Sequence, residues 1–313
     1  MKERTTKRST LLAHLAQLSS VAIFSCGFMV QQALAVEFAP TTVLLWQFLG
    51  AAIIMWIICF ARHQLPPLNL RFGKTLLWGF MAPGAVLIFS IHGGARTDGV
   101  SLALMWGLLP LIVSALGYLM LRENAHWSLA VGSCVGFGGL LIVSLSREAA
   151  GVGDLTGNVL VFVAVLCASF SQIVGRRMNS GDIPWFQIAT LQVTGALIAV
   201  FSLALATNAL SFITLGTPLQ IFAMAYLVLG MTVLNYAIFN FALRHLQVAW
   251  VSIYVALNPV LGSLAAIVIL GDIPRLFDWA GMMVIIAGVM LPHAYSLYRR
   301  QLDKKTDQAM LKR

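Results

Sequence analysis

Residues 99–143 read GVSLALMWGLLPLIVSALGYLMLRENAHWSLAVGSCVGFGGLLIV: an apolar run of helix length, a short polar turn, and a second apolar run. The same layout recurs 149 positions later without a gap. The rarer residue types keep their order and spacing, in the pairs Pro110/Pro259, Ser114/Ser263, Glu123/Asp272, Gly132/Gly281 and Gly139/Gly288. Because this offset is close to half the chain, the sequence predicts an internal duplication.

The composition indicates a polytopic membrane protein. Hydrophobic residues make up 59% of the chain and charged residues only 10%, against about 25% charged in a soluble domain. The net charge of +9 does not indicate a nucleic-acid partner, because the basic residues sit at the ends of apolar runs and not on one face or helix. The lipid bilayer is therefore the expected surrounding.

An all-α membrane protein with ten spanning helices is predicted, since a helix needs about 20 apolar residues to cross a bilayer. The apolar runs are numbered here as segments 1 to 10: 11–35, 41–61, 73–94, 98–121, 127–146, 155–177, 184–206, 218–241, 247–270 and 277–298. Residues 1–10 form an N-terminal lead, 11–146 a first five-helix repeat, 147–154 a linker, 155–298 a second repeat, and 299–313 a basic tail. Segment 1 contains Gln17, Ser19, Ser20, Gln31 and Gln32, so it is predicted to lie inside the bundle.

The basic residues predict the orientation. With the N-terminus in the cytoplasm, 17 of the 20 lysines and arginines fall on the inner side, and only Arg96, Arg147 and Arg275 fall outside. This asymmetry favours a multi-pass protein of the cell inner (plasma) membrane with both termini cytoplasmic and the 147–154 linker external. Because each copy has an odd number of helices, five, the second copy enters the membrane from the side opposite to the first. The duplication is therefore predicted to be an inverted repeat.

Further residue pairs follow the same division, with small shifts in offset between segments. They are Cys26/Cys167 in segments 1 and 6, Gln47/Gln192 and Gly50/Gly195 in segments 2 and 7, and His92/Asn240 in segments 3 and 8.

The chain resembles the ten-helix, EamA-like branch of the drug/metabolite transporter superfamily. The resemblance rests on Pro110 and Pro259, on the acid that closes each segment 4 and 9 (LMLRE at 119–123, VILGD at 268–272), and on NPVLGSLAAIVILGD at 258–272. It implies that the first four helices of each repeat surround a central cavity and that the fifth is peripheral. It also implies movement of a metabolite by alternating access.

Pro110 and Pro259 are candidate helix breaks or gating points. A proline inside a helix frees a carbonyl about one turn earlier, here at Trp106 and Val255, and such a carbonyl must be paired by a neighbour or face a cavity. A purely structural kink explains each proline about equally well.

Polar side chains inside apolar segments supply the candidate substrate-binding residues, because polar groups in a membrane are costly. The candidates are Trp106, Tyr254, Asn258, Gln47, Gln192, His92, Asn235 and Asn240. Hydrogen bonding between helices, worth about 0.6 kcal/mol on average, is the alternative for each amide. The set is expected to include cavity residues even where single members serve packing.

The predicted function is export of a small metabolite, amino-acid-like and neutral, zwitterionic or partly aromatic, because no Asp or Glu lies mid-segment. Proton coupling stays open, with His92 as the best titratable candidate. A multidrug or other-metabolite carrier of the same fold and a non-transporting membrane receptor or scaffold are the alternatives. An enzyme is not expected, since the chain has no HExxH, GxSxG or phosphate-binding glycine loop. No metal or cofactor is expected, and the sequence favours neither a monomer nor a homodimer.

Overall fold

The regular structure of the chain is helical, and no strand occurs among the residues described below. The computed structural model describes residues 2–66, 70–94, 96, 106, 109–116, 120, 128, 155–179, 183–246, 248–255 and 257–270, with parts of 131–139 and 279–295. Most of segments 4, 5 and 10, the 147–154 linker and the 299–313 tail therefore lie outside the described residues.

The helices follow the apolar runs. Segment 1 is Lys2–Glu37, segment 2 Pro40–Ala61 and segment 3 Leu70–Gly94 in three parts (Leu70–Gly79, Phe80–Ala85, Val86–Gly94). Segment 4 contributes Leu109–Leu116, segment 6 is Leu155–Asn179 and segment 7 Trp185–Ala206. Segment 8 has the parts Pro218–Ala225, Tyr226–Leu234 and Asn235–His245, and segment 9 the parts Val248–Val255 and Asn258–Leu270.

Helix starts are encoded locally. Pro40 is the first residue of segment 2, where a missing N–H costs nothing because the first turn has no partner for it. Segment 8 begins with a capping box: the Thr217 side chain accepts from the Gln220 backbone N–H, and the Gln220 side chain accepts from the Thr217 N–H.

Six helices of the described chain are long and apolar enough to cross a membrane. They are Thr10–Ala35, Pro40–Ala61, Arg71–Gly94, Val159–Asn179, Trp185–Ala206 and Pro218–His245. Large apolar side chains cover their outer faces, with Phe60 71% and Leu77 66% exposed. Such faces are stable against lipid and not against water, so the protein is membrane-embedded.

Segments 3 and 8 each contain a π-helical turn that the apolar pattern does not predict. In segment 3 it covers Phe80–Ala85, where Ala82 has extended backbone angles (φ −148°, ψ 116°) inside the helix. In segment 8 it covers Tyr226–Leu234. A π turn widens the helix locally and leaves backbone groups for other partners, so both segments are irregular where they cross the middle of the bundle.

The two prolines predicted as helix breaks each lie in the first turn of a described helical piece. Segment 9 stops at Val255 and resumes at Asn258, so Pro259 is the second residue of the resumed helix. Pro110 is likewise the second residue of Leu109–Leu116. The first turn needs no N–H donor, and in segment 9 the turn at Leu257 precedes Pro259.

Helices from the two predicted repeats interleave. Segments 2 and 7 pack on each other, segment 3 packs on segments 6 and 7, and segment 8 packs on segments 1 and 2. Glycines permit the closest of these contacts: a Cβ at Gly79 would lie 2.1 Å from the carbonyl oxygen of Gln192, and one at Gly195 would lie 2.1 Å from that of Leu76. The core therefore forms between the repeats as well as within them.

Candidate functional site

A cavity of about 120 Å³ opens among segments 1, 3, 4, 6, 7, 8 and 9. Its wall combines aromatic side chains with amides and hydroxyls, namely Phe24, Trp106, Tyr236 and Phe239 with Gln17, Ser20, Ser171, Gln172, Gln192, Asn235 and Asn258. Its base includes Ala82 and Pro83 of the π turn in segment 3. Both predicted repeats contribute to this wall.

Four of the eight predicted substrate-binding residues line the cavity: Trp106, Gln192, Asn235 and Asn258. Asn258 begins the second piece of segment 9 and accepts a 2.9 Å hydrogen bond from the Ser25 hydroxyl. Asn235 follows the π turn of segment 8 and accepts a 2.6 Å bond from the Ser20 hydroxyl. Segment 1 therefore holds both asparagines at the cavity wall.

Tyr254 and His92 do not line the described cavity wall. The Tyr254 hydroxyl lies 3.1 Å from His14 Nδ1 of segment 1. His92 lies near the end of segment 3, with its Nε2 3.2 Å from the Thr41 hydroxyl. Both residues link neighbouring helices in this conformation.

Asn240 belongs to a buried chain of amides that reaches the cavity at Gln192. Asn179 Nδ2 donates to Asn240 Oδ1 (2.8 Å), and Asn240 Nδ2 donates to Gln192 Oε1 (2.8 Å). Gln192 Nε2 then donates to the carbonyl oxygen of Ala82 (3.0 Å). That carbonyl is free for Gln192 because Ala82 leaves the helical conformation.

Gln47 belongs to a second buried chain away from the cavity. Gln31 Nε2 donates to Gln47 Oε1 (2.8 Å), and Gln47 Nε2 donates to the Thr232 hydroxyl (2.9 Å). The Thr232 hydroxyl donates in turn to the carbonyl of Leu227, five residues earlier in the π turn of segment 8. Gln47 therefore pairs with the π turn of segment 8 as Gln192 pairs with that of segment 3.

The cavity wall includes two glutamines that the sequence did not single out as ligand contacts. Gln17 is 0% and Gln172 6% exposed. The side-chain oxygen of each is buried and has no hydrogen-bond partner among the described residues. A sequence signal for Gln172 did exist: it lies at the 141-residue offset of Cys26/Cys167 from the buried Gln31 of segment 1.

The chemistry of the described wall is that of a polar but uncharged binding site. None of its side chains is Asp, Glu, Lys or Arg, and the described residues contain no group of three or more His, Cys, Asp or Glu that could hold a metal. Amides and hydroxyls can orient a ligand by hydrogen bonds, and the rings can cover its apolar surface.

Comparison with known proteins identifies the family. The sequence model of the EamA-like transporter family matches this chain twice, over residues 11–145 and 155–292. The chain belongs to the EamA-like transporter family. This EamA-like protein is 25% identical over 264 residues to the uncharacterized transporter YyaM of Bacillus subtilis (strain 168), covering 81% of this chain and 84% of YyaM.

The fold of this EamA-like protein also matches a solved crystal structure. The two chains superpose with a TM-score of 0.73 at 16% identity, over 92% of this chain and 98% of the other. At that identity the likeness concerns the fold alone. Membership in the family makes the protein a membrane transporter.

Proposed function

We propose that the protein exports a small metabolite across the cell inner membrane by alternating access, with the metabolite bound in the cavity between the two repeats. The observation that carries the proposal is the cavity wall itself. The wall contains Trp106 of the first repeat and Gln192 and Asn258 of the second. Movement of one repeat relative to the other would therefore open or close the cavity. Binding at a repeat interface near the midplane is typical of such transporters.

An inverted repeat of two five-helix units, 11–146 and 155–298, is part of this proposal. It is supported by matching contacts between helices: segment 3 packs on 6 and 7, and segment 8 packs on 1 and 2. Segment 1 packs on the second piece of segment 9, as segment 6 packs on the Leu109–Leu116 piece of segment 4. A two-fold axis in the membrane plane would exchange these pairs and would relate the Gln47 and Gln192 contacts with the π turns.

The orientation with ten spans and both termini cytoplasmic is also proposed. It is supported by contacts between helix ends that are predicted to lie on the same side of the membrane. At the inner end, Arg176 donates to the carbonyls of Leu243 and Arg244, and Arg244 donates to that of Ile183. At the outer end, the Thr42 and Ser211 hydroxyls lie 2.7 Å apart.

The substrate that this wall favours is neutral or zwitterionic and partly aromatic. A strongly charged molecule would lose its hydration without a buried partner charge, which is costly. Trp106, Tyr236 and Phe239 offer ring faces, and Asn258 offers both a donor and an acceptor.

The test is flux through purified protein reconstituted in liposomes. The candidate substrates come from a comparison of metabolites released by cells with and without the gene. Trp106→Ala and Asn258→Ala should each raise the half-saturating concentration about tenfold or more, since a good hydrogen bond in a dry site is worth about 1–3 kcal/mol. Trp279→Ala is the control, because Trp279 is 48% exposed on the outside of the bundle.

Three outcomes separate the proposal from its alternatives. The proposal is supported if the half-saturating concentration rises in both cavity variants and stays at the parent value in Trp279→Ala. Saturation curves that overlay the parent would remove Trp106 and Asn258 from the site. Absence of flux for every released metabolite would favour a receptor or scaffold instead.

A further inference from the structure

Asn258 is the polar side chain of the described cavity wall that a ligand can reach most readily. Of the amide and hydroxyl side chains on this wall, it alone is half-buried, and the others are buried. It begins the second piece of segment 9, directly after the turn at Leu257. A molecule in the cavity can therefore contact the Asn258 amide without any rearrangement of the wall.

The Ser25 hydroxyl of segment 1 fixes which end of this amide remains for a ligand. It donates to Asn258 Oδ1 at 2.9 Å and so holds the oxygen toward segment 1. Asn258 Nδ2 donates to none of the described residues, and it is not one of their enclosed, unpaired atoms. An amide carries two N–H donors and two lone pairs, so Asn258 keeps both donors and only one lone pair.

The other amide oxygens of the described wall are closed to a ligand. Asn235 Oδ1 accepts a 2.6 Å bond from a segment 1 hydroxyl, and Gln192 Oε1 accepts from Asn240. The remaining two oxygens, those of Gln17 and Gln172, are enclosed by neighbouring atoms. Amide acceptors are therefore scarce on the surface that a ligand meets.

Trp106 of the first repeat presents a donor to the same cavity. Its side chain is half-buried on the wall, and an indole N–H can donate but not accept. Trp106 Nε1 has no hydrogen-bond partner among the described residues and is not enclosed. Donors thus reach the cavity from both repeats, and an acceptor on the ligand would satisfy them.

We propose that Asn258 Nδ2 and Trp106 Nε1 select ligands by an acceptor group, a carbonyl oxygen or the carboxylate of a zwitterion, and that Ser25 is the positioning residue that fixes this polarity. A ligand whose only polar group is a donor would leave both N–H groups without a partner, which is costly in a dry site. This inference rests on the proposed function, because it assigns the selectivity of the same cavity.

The size of the cavity determines the probes. An apolar protein cavity of about 150 Å³ holds a benzene molecule, and this one measures about 120 Å³. Pyridine N-oxide and aniline are each a single ring with a single polar substituent, and they are similar in size. The N-oxide oxygen accepts and has no hydrogen to donate, whereas the aniline N–H₂ donates and is a weak acceptor.

The experiment is calorimetric titration of both probes into the full-length protein in lipid nanodiscs, with empty nanodiscs as the baseline for partitioning into lipid. The parent should bind pyridine N-oxide at least about tenfold more tightly than aniline, the ratio that about 1.4 kcal/mol produces. Asn258→Leu removes the donor at similar volume and should weaken N-oxide binding about tenfold. Aniline binding should change little, which shows that the cavity of the variant is intact.

Ser25→Ala tests the positioning role. It frees Asn258 Oδ1, so the amide can rotate and offer either end to a ligand. The preference for pyridine N-oxide should then fall toward one, mainly because aniline binds more tightly, whereas a general loss of structure would weaken both probes. Ser202→Ala is the matched control and should keep the parent ratio, since Ser202 is exposed and bonds only to its own helix backbone.

Each outcome either supports or overturns the inference. A parent without a preference for pyridine N-oxide, or one that binds neither probe, overturns it, as does a preference that survives in Asn258→Leu. A Ser25→Ala protein with the parent ratio overturns the positioning role. These results would leave flux of a released metabolite through the cavity untouched. A preference lost in Asn258→Leu and reduced in Ser25→Ala supports the inference even if liposome flux is absent, in which case the transport proposal alone fails.

Discussion

Gln192 of segment 7 donates a 3.0 Å hydrogen bond to the carbonyl oxygen of Ala82, the residue at which segment 3 leaves the helical conformation. The bond joins helices that belong to different predicted repeats, and both residues line the cavity. Because Gln192 Oε1 also accepts from Asn240, one side chain satisfies both the π turn and the buried amide chain. The geometry of this cavity wall therefore depends on a contact between the repeats.

Gln192→Leu should destabilise the protein markedly. It leaves the Ala82 carbonyl and an Asn240 N–H without partners, and each unpaired buried group costs about 1–3 kcal/mol. Thermal unfolding in detergent measures the effect. Ser202→Ala on the same helix is the control, because Ser202 is exposed and bonds only to its own helix backbone. Equal unfolding temperatures for the two variants would contradict a structural role for the Gln192 bond.

Gly79→Ala should lower the yield of folded protein, whereas Gly73→Ala should not. A Cβ at Gly79 would lie 2.1 Å from the carbonyl oxygen of Gln192, while one at Gly73 would meet no atom within 4 Å. In addition, alanine at an unhindered helix position is favoured over glycine by about 1 kcal/mol. Size-exclusion yield and unfolding temperature would test the pair. A Gly79→Ala protein as stable as Gly73→Ala would show that segments 3 and 7 are not in backbone contact.

Six of the ten predicted spans are long apolar helices in the described part of the chain, because long apolar runs have few other stable conformations in a membrane. The sequence did not predict the π turns. A π turn leaves a backbone carbonyl without its helical partner, and at Ala82 that carbonyl is paired by Gln192 of another helix. Segment 1 was expected inside the bundle, but only one of its faces is buried. Gln17, Ser20 and Gln31 are buried, whereas Ser19 and Leu15 are exposed.

The candidate site was harder to predict because an amide uses the same chemistry for a structural bond and for a ligand. Gln47 and Asn240 both bond to neighbouring helices, whereas Gln172 lines the cavity without a partner. Which of them reaches the cavity depends on the rotation of each helix about its axis. An almost uniformly apolar sequence leaves that rotation undetermined.

Pro259→Ala and Pro110→Ala should slow transport more than they lower the yield of folded protein. Each proline lies in the first turn of a helical piece, where its loss removes no bond. An alanine N–H at position 259 could instead donate to the Val255 carbonyl and extend the helix across the break. Flux per folded molecule in liposomes is the measurement. Parallel losses of flux and yield would indicate a purely structural kink.

Cysteine labelling tests the proposed orientation. In a background that lacks the four native cysteines, Thr214→Cys should react in intact cells with a membrane-impermeant maleimide. Gln64→Cys should react only after permeabilisation. Both residues are exposed, so accessibility within the protein does not confound the comparison. The reverse labelling pattern would invert the proposed topology.

If substrate passes through the cavity between the repeats, a bulky side chain that fills this cavity should stop transport. Ala168→Phe adds a ring to the cavity wall on segment 6. Val159→Phe adds a ring to the outer face of the same helix, where Val159 is 53% exposed. Flux of a released metabolite into liposomes should fall to background in Ala168→Phe and stay at the parent level in Val159→Phe, at equal yields of folded protein. Full flux with unchanged saturation in Ala168→Phe would contradict the account.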